Sequence, residues 1–263
     1  RMDPVALTAM VREDRAKGRL PFLVLASAGT TNTGAIDPLG ELSDVCSTHD
    51  LWLHVDGAYG GAFVLSHEGK RRLAGIERAD SIVFDPHKGM FLPYGTGCLL
   101  VREGRHLREA HRESAEYLED FKHGDDQRIP SPTEYGPELS RDFRGLRIWL
   151  PLMLHGAKQF RDALSEKLVL AEMLWQGARR LQEEGAELEV CGAPQLSTVT
   201  FRRPLREGET LEETDRRTAA LLDRLNGSGQ VLLSTTRLPT PQGPRLTLRA
   251  CIVEGVGRET LYW

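Results

Sequence analysis

Three short segments in the first hundred residues place chemically active side chains directly after apolar runs. Ser27-Ala28-Gly29-Thr30-Thr31 closes the run that begins at Pro21, Asp56 ends the run that begins at Leu51, and Asp85-Pro86-His87-Lys88 follows Ser81 to Phe84. If these runs are parallel strands, the three segments sit at their carboxyl ends, where open α/β sheets bind ligands. A carboxylate, an amine, hydroxyls and an imidazole then converge on one crevice. For Asp and Lys alone the simplest chemistry is an ion pair, and the functional alternative is a site with tuned proton affinities. His54 shares a strand face with Asp56, where it either orients Asp56, lines the pocket or is a satisfied core histidine. The eight histidines show no HExxH or comparable ligand spacing, so no metal centre is expected.

The elements that must position these groups are legible from caps and periodicity. Asp3 as N-cap, Pro4 at the first helical position and Gly18 as stop delimit a first helix. Pro21 to Ser27 then reads as a strand apolar on both faces and therefore buried. Asp37 and Pro38 open a second helix with Leu39, Leu42 and Val45 on one side. In the strand Leu51 to Asp56, Leu51, Leu53 and Val55 face one way and Trp52, His54 and Asp56 the other. A helical stretch near 68–77 and strands Ser81 to Phe84 and Gly97 to Arg102 come next. Helices alternating with buried strands indicate a parallel or mostly parallel α/β sheet.

From Arg102 to Ser131 the chain is highly charged, His-rich and finally Pro-rich, and reads as a long functional loop. Apolar residues at helical spacing across 143–184 predict a helix that Pro151 kinks or divides. The remainder reads as an α+β unit: a strand Leu196 to Arg202, a helix opened by the capping box Thr210 to Glu213 and closed by Asn226 and Gly227, and strands near 230–235 and 245–251.

Composition bounds the function classes. With 263 residues, 40% hydrophobic and 27% charged, the chain is long enough for one large or two modest globular units. Thirty-four basic against 38 acidic residues leave a net charge of -4, which gives no basis for a nucleic-acid or anionic-membrane partner. Apolar stretches such as Trp149 to Leu154 fall far below the ~20 residues that span a bilayer. Cys46, Cys98, Cys191 and Cys251 form neither a disulfide framework nor a zinc pattern, which fits a reducing, cytoplasmic setting. Both ends read as those of a fragment, with Arg1-Met2 leading straight into a helix and the last six residues resembling an unfinished helical turn.

The strings LASAGTTNTGAIDP (25–38), WLHVDGAYGG (52–61), DSIVFDPHKGMFLPYGTGCLLVR (80–102) and FRGLRIWLPL (143–152) resemble the pyridoxal-phosphate-dependent group II decarboxylases, the family of aromatic-amino-acid, glutamate, histidine and cysteine-sulfinate decarboxylases. The likeness is dense over 19–102 and 135–175 and weakens after 200. It implies a fold-type-I α/β architecture: residues 1–105 as part of the large, mostly parallel-sheet cofactor domain, 106–135 as the active-site loop, 136–185 as linking helices and 186–263 as most of a small α+β C-terminal domain. The implied reaction is removal of CO2 from an L-amino acid with pyridoxal 5'-phosphate (PLP), in a cytoplasmic homodimer.

The resemblance assigns roles residue by residue. Lys88 supplies the amine that holds the aldehyde cofactor as a Schiff base. Asp56 keeps the pyridine nitrogen protonated, so the ring can absorb the electron pair left on Cα. Ala58 lies against one ring face, Thr31 offers a cofactor-contacting hydroxyl, and His87 reaches toward the phosphate. Asp85 stands where many relatives carry Asn, and a carboxylate there suits a dianionic phosphate only if protonated or turned away. Tyr117, in Ala115-Glu116-Tyr117-Leu118, matches the loop tyrosine that helps return a proton to Cα; an exposed loop tyrosine is the plain alternative. Arg249 falls where relatives place an arginine near the substrate carboxylate, with a sheet-edge surface arginine as the equal alternative.

In the family, the phosphate-holding turn, the ring-stacking His and the subunit-wrapping helices all lie upstream of the segments matched here, so this chain alone is expected to hold PLP weakly. The sequence after Cys251 also departs from the family's usual ending. The competing readings are another fold-type-I activity, such as a desulfurase or aminotransferase, and a catalytically silent PLP-fold interaction protein. The loop tyrosine and FRGLRIWL argue against the first; Lys88 and Asp56 together argue against the second.

Overall fold

The computed structural model describes residues 1–111 and 132–253. Helix α1 (Pro4–Ala16) begins as its sequence dictates: the Asp3 carboxylate accepts from the amides of Val5 and Ala6, satisfying first-turn donors that have no helical partner. Strand β1 (Leu23–Ser27) leads to α2 (Leu39–Thr48), β2 (Trp52–Asp56), the short α3 (His67–Arg72), β3 (Ser81–Phe84), the one-turn α4 (Pro86–Gly89) and β4 (Cys98–Val101). The strands form one sheet in the order β1-β2-β3-β4, with the first three parallel and β4 antiparallel at the edge. Ser27, Asp56 and Val83 stand level across it, so the carboxyl ends of the parallel strands share one rim.

Alternation in β2 matches the sequence pattern: Leu53 and Val55 are buried in the main core with Leu39, Leu42 and Phe63. Strand β1 departs from expectation. Val24 and Ala26 are buried, but Leu23 and Leu25 on its other face are 43% and 53% exposed. An apolar run shows that both faces suit burial; whether a second layer covers them is a matter of tertiary structure. Asp37 also differs from its predicted role. Its carboxylate does not cap α2 but accepts from the amides of Ser27 and Met2, tying the end of β1 to the start of α1.

The stretch after Arg102 opens with a helix, α5 (Gly104–His111), where the composition predicts a loop. Leu107 is its one large apolar residue, so apolar spacing could not reveal it. The ring of His106 stands edge-on against Trp52, with centroids 5.2 Å apart. Helix α6 (Leu146–Glu183) is broken, but at Gly156 (φ 74°, ψ 150°) and not at Pro151. That conformation is open essentially to glycine alone, whereas the proline remains within helical backbone in the second turn.

Beyond the break, Leu164 and Leu168 enter the main core while Ala171 belongs to a second core with Val199, Phe201, Leu248 and Ala250. Helix α6 therefore serves both sheets. The second sheet is antiparallel, in the order β5 (Glu189–Val190), β6 (Thr198–Arg202), β8 (Arg245–Cys251), β7 (Ser234–Leu238). Helix α7 (Leu211–Gly227) packs on it and starts with the predicted capping box of Thr210 and Glu213. The strand expected near 230 begins only at Ser234, because the Asn226 side chain takes both the N–H and the C=O of Leu233. Among the described residues, no helix is long and apolar enough to cross a membrane.

The segment 194–198 fastens the second sheet to the first. Leu196 is fully buried in the main core, Gln195 Oε1 accepts from the Ile36 amide at 2.7 Å, and Arg72 donates to the carbonyls of Pro194 and Gln195 at 3.1 Å. Gly60 is the tightest point of this junction. A Cβ there would sit 1.9 Å from the Ala28 carbonyl oxygen and 2.7 Å from Leu196 Cδ1. Because backbone cannot yield as a side-chain tip can, Gly60→Ala is expected to destabilise the chain by about 2 kcal/mol or more. Urea unfolding followed by circular dichroism checks this; a loss below about 0.5 kcal/mol would show that the junction is not close-packed there.

Candidate active site

The turns after β2 and β3 build the site. At the end of β2, the exposed Asp56 carboxylate accepts from the Ala58 amide at 3.0 Å, while its own carbonyl accepts from the Ala28 amide at 2.8 Å. The Gly57 amide donates to the Val83 carbonyl and the Asp85 amide to the Ala58 carbonyl, so the Asp56–Ala58 turn and the Asp85–Lys88 turn are bonded to each other. Pro86 opens α4 with the φ that a helix start requires. The helix ends at Gly89, where a Cβ would lie 2.6 Å from the Ala62 side chain. Only glycine allows α4 to lie this close to residues 61–65.

One turn of α4 brings Lys88 back over Asp85. Lys88 Nζ lies 2.7 Å from Asp85 Oδ2, with the lysine side chain 45% exposed and the carboxylate mostly covered. Asp85 thus does not cap α4; its charge is turned onto the lysine. The same charge, after the larger effect of burial, raises the Cys98 thiol above its ordinary pKa. His87 is oriented from the loop just after α4: its Nδ1 lies 2.9 Å from the Thr96 carbonyl oxygen, and its ring packs edge-on against Tyr94 with centroids 4.9 Å apart. An imidazole nitrogen facing a carbonyl must carry the proton, which leaves Nε2 as the acceptor when the ring is neutral.

His54 shares with Trp52 the hydroxyl of Ser81: His54 Nδ1 at 2.7 Å and Trp52 Nε1 at 2.8 Å. It is a satisfied, half-buried histidine on the Asp56 face of β2. Tyr59, next to Ala58, hydrogen-bonds Ser197 on the second sheet's connecting segment and lies 4.0 Å from Cys251 Sγ. Burial, the largest effect, with the neighbouring Cys251, pushes its hydroxyl up to about 12, so it stays protonated and acts as a tie between the two sheets.

The structure thus gathers Asp56, Ala58, Asp85, His87 and Lys88 on one rim. Thr31 is on the turn above β1 with its side chain exposed, but the hydroxyl that organises that turn is Thr30, whose Oγ1 accepts from the Ala35 amide and lies 3.0 Å from Thr33 Oγ1. Arg249 lies in β8 between Thr200 and Ser234, with Nη1 3.4 Å from Ser234 Oγ and a buried Nε that has no hydrogen-bond partner among the described residues. These contacts all belong to the second sheet. Tyr117 lies outside the described residues. Sequence reading missed the contributions of Thr96 and Tyr94 to His87. It also missed Lys167, whose signal was a lone lysine on the apolar stripe Leu164, Leu168, Ala171 of α6.

Residues 1–203 match the pyridoxal-dependent decarboxylase conserved domain. The chain is 38% identical over 256 residues to an aromatic-L-amino-acid decarboxylase of Bacillus atrophaeus, covering 96% of this chain and 51% of that protein. It superposes with a TM-score of 0.83 on the crystal structure of Oryza sativa TDC with PLP and tryptamine, at 28% identity over 95% of this chain and 50% of the other. For Catharanthus roseus tryptophan decarboxylase in complex with L-tryptophan, the TM-score is 0.80 at 29% identity, over 94% and 50% of the two chains. The chain therefore spans about half the length of the relatives it matches. The α/β architecture is that of these fold-type-I enzymes, and with most of its length matched the chain belongs to the pyridoxal-dependent decarboxylase family.

Proposed function

We propose that this chain carries the cofactor lysine and the ring-binding carboxylate of a PLP-dependent decarboxylase acting on L-amino acids, with aromatic amino acids as the substrate class. The observation that carries the reading is the shared rim: an exposed amine, Lys88, and an exposed carboxylate, Asp56, on two hydrogen-bonded turns at the carboxyl ends of adjacent parallel strands. The donor set fits the cofactor. An amine is what its aldehyde requires, a carboxylate is what its ring nitrogen requires, and Ala58 between them is small enough to lie under a flat ring. The aromatic substrate class is supported by the Bacillus atrophaeus relative and by the two structural neighbours, one solved with tryptamine and one with L-tryptophan.

Bound PLP supplies an electron sink for the pair left on Cα when CO2 departs. The residues of this chain do the rest. Lys88 Nζ would hold the cofactor's aldehyde, and Asp85, which now lies 2.7 Å from that amine, would be free to turn aside. Asp56 would keep the cofactor's ring nitrogen protonated. His87, with Nδ1 engaged by the Thr96 carbonyl, would offer Nε2 to the cofactor's phosphate, and Thr31 would add a hydroxyl to the cofactor site. By the family resemblance Arg249 would meet the substrate carboxylate and Tyr117, which lies outside the described residues, would return a proton to Cα. Residues 1–105 form the cofactor-binding part, 136–185 link it to the second unit, and 186–263 form that small unit. The resemblance extends the proposal to a cytoplasmic homodimer, and four free thiols agree with a reducing compartment.

The test is CO2 release from a panel of aromatic, acidic and sulfinic L-amino acids, measured with the protein in the length its gene encodes. Release from aromatic substrates, without amino-group transfer to a keto acid, is the expected result; transfer without CO2 would overturn it. In the same assay Tyr117→Phe is expected to leave PLP binding intact and lower amine formation by about 10²-fold, with carbonyl side products in its place. Unchanged rate and products would make Tyr117 a bystander.

A further inference from the structure

We propose that Lys167 of α6 is a positioning residue for the Lys88 turn, an inference that rests on the reading of Lys88 as the cofactor lysine. Lys167 is only 4% exposed and lies among core residues of α6, between Leu164 and Leu168 on one side and Ala171 on the other. Burying an ammonium is costly unless its charge and its donors are engaged. Among the described residues, two of its contacts lie immediately after Lys88. Nζ donates to the Gly89 carbonyl at 3.1 Å and sits 3.6 Å from the centroid of the Phe91 ring. The Gly89 carbonyl ends α4 and has no helical donor to receive, which makes it a natural acceptor for a cation. Phe91 has φ 57°, a left-handed conformation that a bulky residue seldom adopts, and the cation lies over the ring of this residue.

The turn is held from two sides. Residues 61–65 press against Gly89, where no Cβ fits, and Lys167 closes from α6. This clamp also reaches the site through the loop fixed at Gly89 and Phe91, which carries Thr96, whose carbonyl orients His87. Lys167 thereby constrains both neighbours of Lys88, Gly89 directly and His87 through the loop. It does so from the helix that also enters the core of the second sheet, so a shift of that sheet would be felt at the lysine turn through one ammonium.

Hydrogen exchange on the 263-residue chain without PLP tests the clamp. The amides of Lys88 and Met90, which donate to the Asp85 and Pro86 carbonyls, report on the turn, and those of β2 report on the rest of the sheet. Lys167→Met keeps the length and apolar stem but loses the charge and donors. It is expected to exchange at least about tenfold faster at the turn with β2 unchanged, while Lys167→Arg, which can still donate and stack, stays within about threefold of the parent. Phe91→Leu, at a half-exposed position that does not threaten folding, is expected to accelerate the turn about threefold and decides the matter if Lys167→Met fails to fold. With PLP added, borohydride trapping on Lys88 is expected to slow at least about fivefold in Lys167→Met and to recover in Lys167→Arg. An unchanged turn, equal acceleration in the turn and β2, or an arginine variant no better than methionine would overturn the proposal. Trapping on another lysine in the parent would instead overturn the cofactor reading, and the exchange data would still decide whether Lys167 holds the turn.

Discussion

Borohydride reduction of the 263-residue chain in excess PLP is expected to place the pyridoxyl label on Lys88, and Lys88→Ala is expected to abolish it. The chain has only six lysines, so peptide mapping separates them cleanly. Among the described lysines, Lys88 alone stands at a strand's carboxyl end beside the Asp56 turn, with its side chain 45% exposed, whereas Lys167 is buried with its ammonium engaged. The substitution should cost little stability. The Lys88–Asp85 pair is partly exposed, and such pairs contribute ~1 kcal/mol or less. Lys88→Arg sharpens the test, since it keeps the charge next to Asp85 but offers no amine that can bond an aldehyde. Both variants should fold, neither should carry the label, and decarboxylation should fall by roughly 10³-fold or more. A label that survives in Lys88→Ala, or maps to another lysine in the parent, would move the cofactor site away from α4.

Much of this site is legible in the sequence because its positioning elements obey local rules. Asp3 and Pro4 start α1, alternation from Leu51 to Asp56 fixes the face of β2, and a proline directly after Asp85 forces a helix start that turns Lys88 back over the strand end. The features that are not legible depend on partners distant in sequence. Lys167 meets Gly89 across 78 residues, and Asp37 finds Met2 across 35. No local pattern in the chain encodes either meeting. The break in α6 has a different cause. Pro151 is the stronger breaker by propensity, but Gly156 takes the non-helical conformation. Pro151 removes one i→i−4 bond but keeps a helical φ, whereas the break needs a positive φ, which Gly156 supplies. The exposure of Leu23 and Leu25 on β1 is likewise set by tertiary structure, which the local apolar run cannot report. For Asp85 and Lys88, residue types alone allow an ion pair or a site; the structure shows the ion pair, and labelling of Lys88 tests the site.

Asp56→Asn is expected to separate chemistry from folding. The Asp56 carboxylate is exposed, and within its turn it accepts from the Ala58 amide at 3.0 Å. An asparagine Oδ1 can accept the same bond, so the turn and the rim should keep their geometry and stability should change by no more than about 0.5 kcal/mol. What asparagine cannot do is hold a proton on a pyridine nitrogen, because it carries no charge to favour the protonated ring. Without that proton the ring is a poor acceptor for the pair left on Cα, and turnover should fall by about 10²- to 10⁴-fold, the range in which a lost protonation partner is felt. Binding of PLP through Lys88 should persist, since that bond lies on the neighbouring turn. The loss should therefore fall on kcat and not on cofactor content, which distinguishes it from Lys88→Ala, where both are lost. Near-normal kcat in Asp56→Asn with cofactor still attached would remove Asp56 from the mechanism and leave the carboxylate as a turn-former at the end of β2.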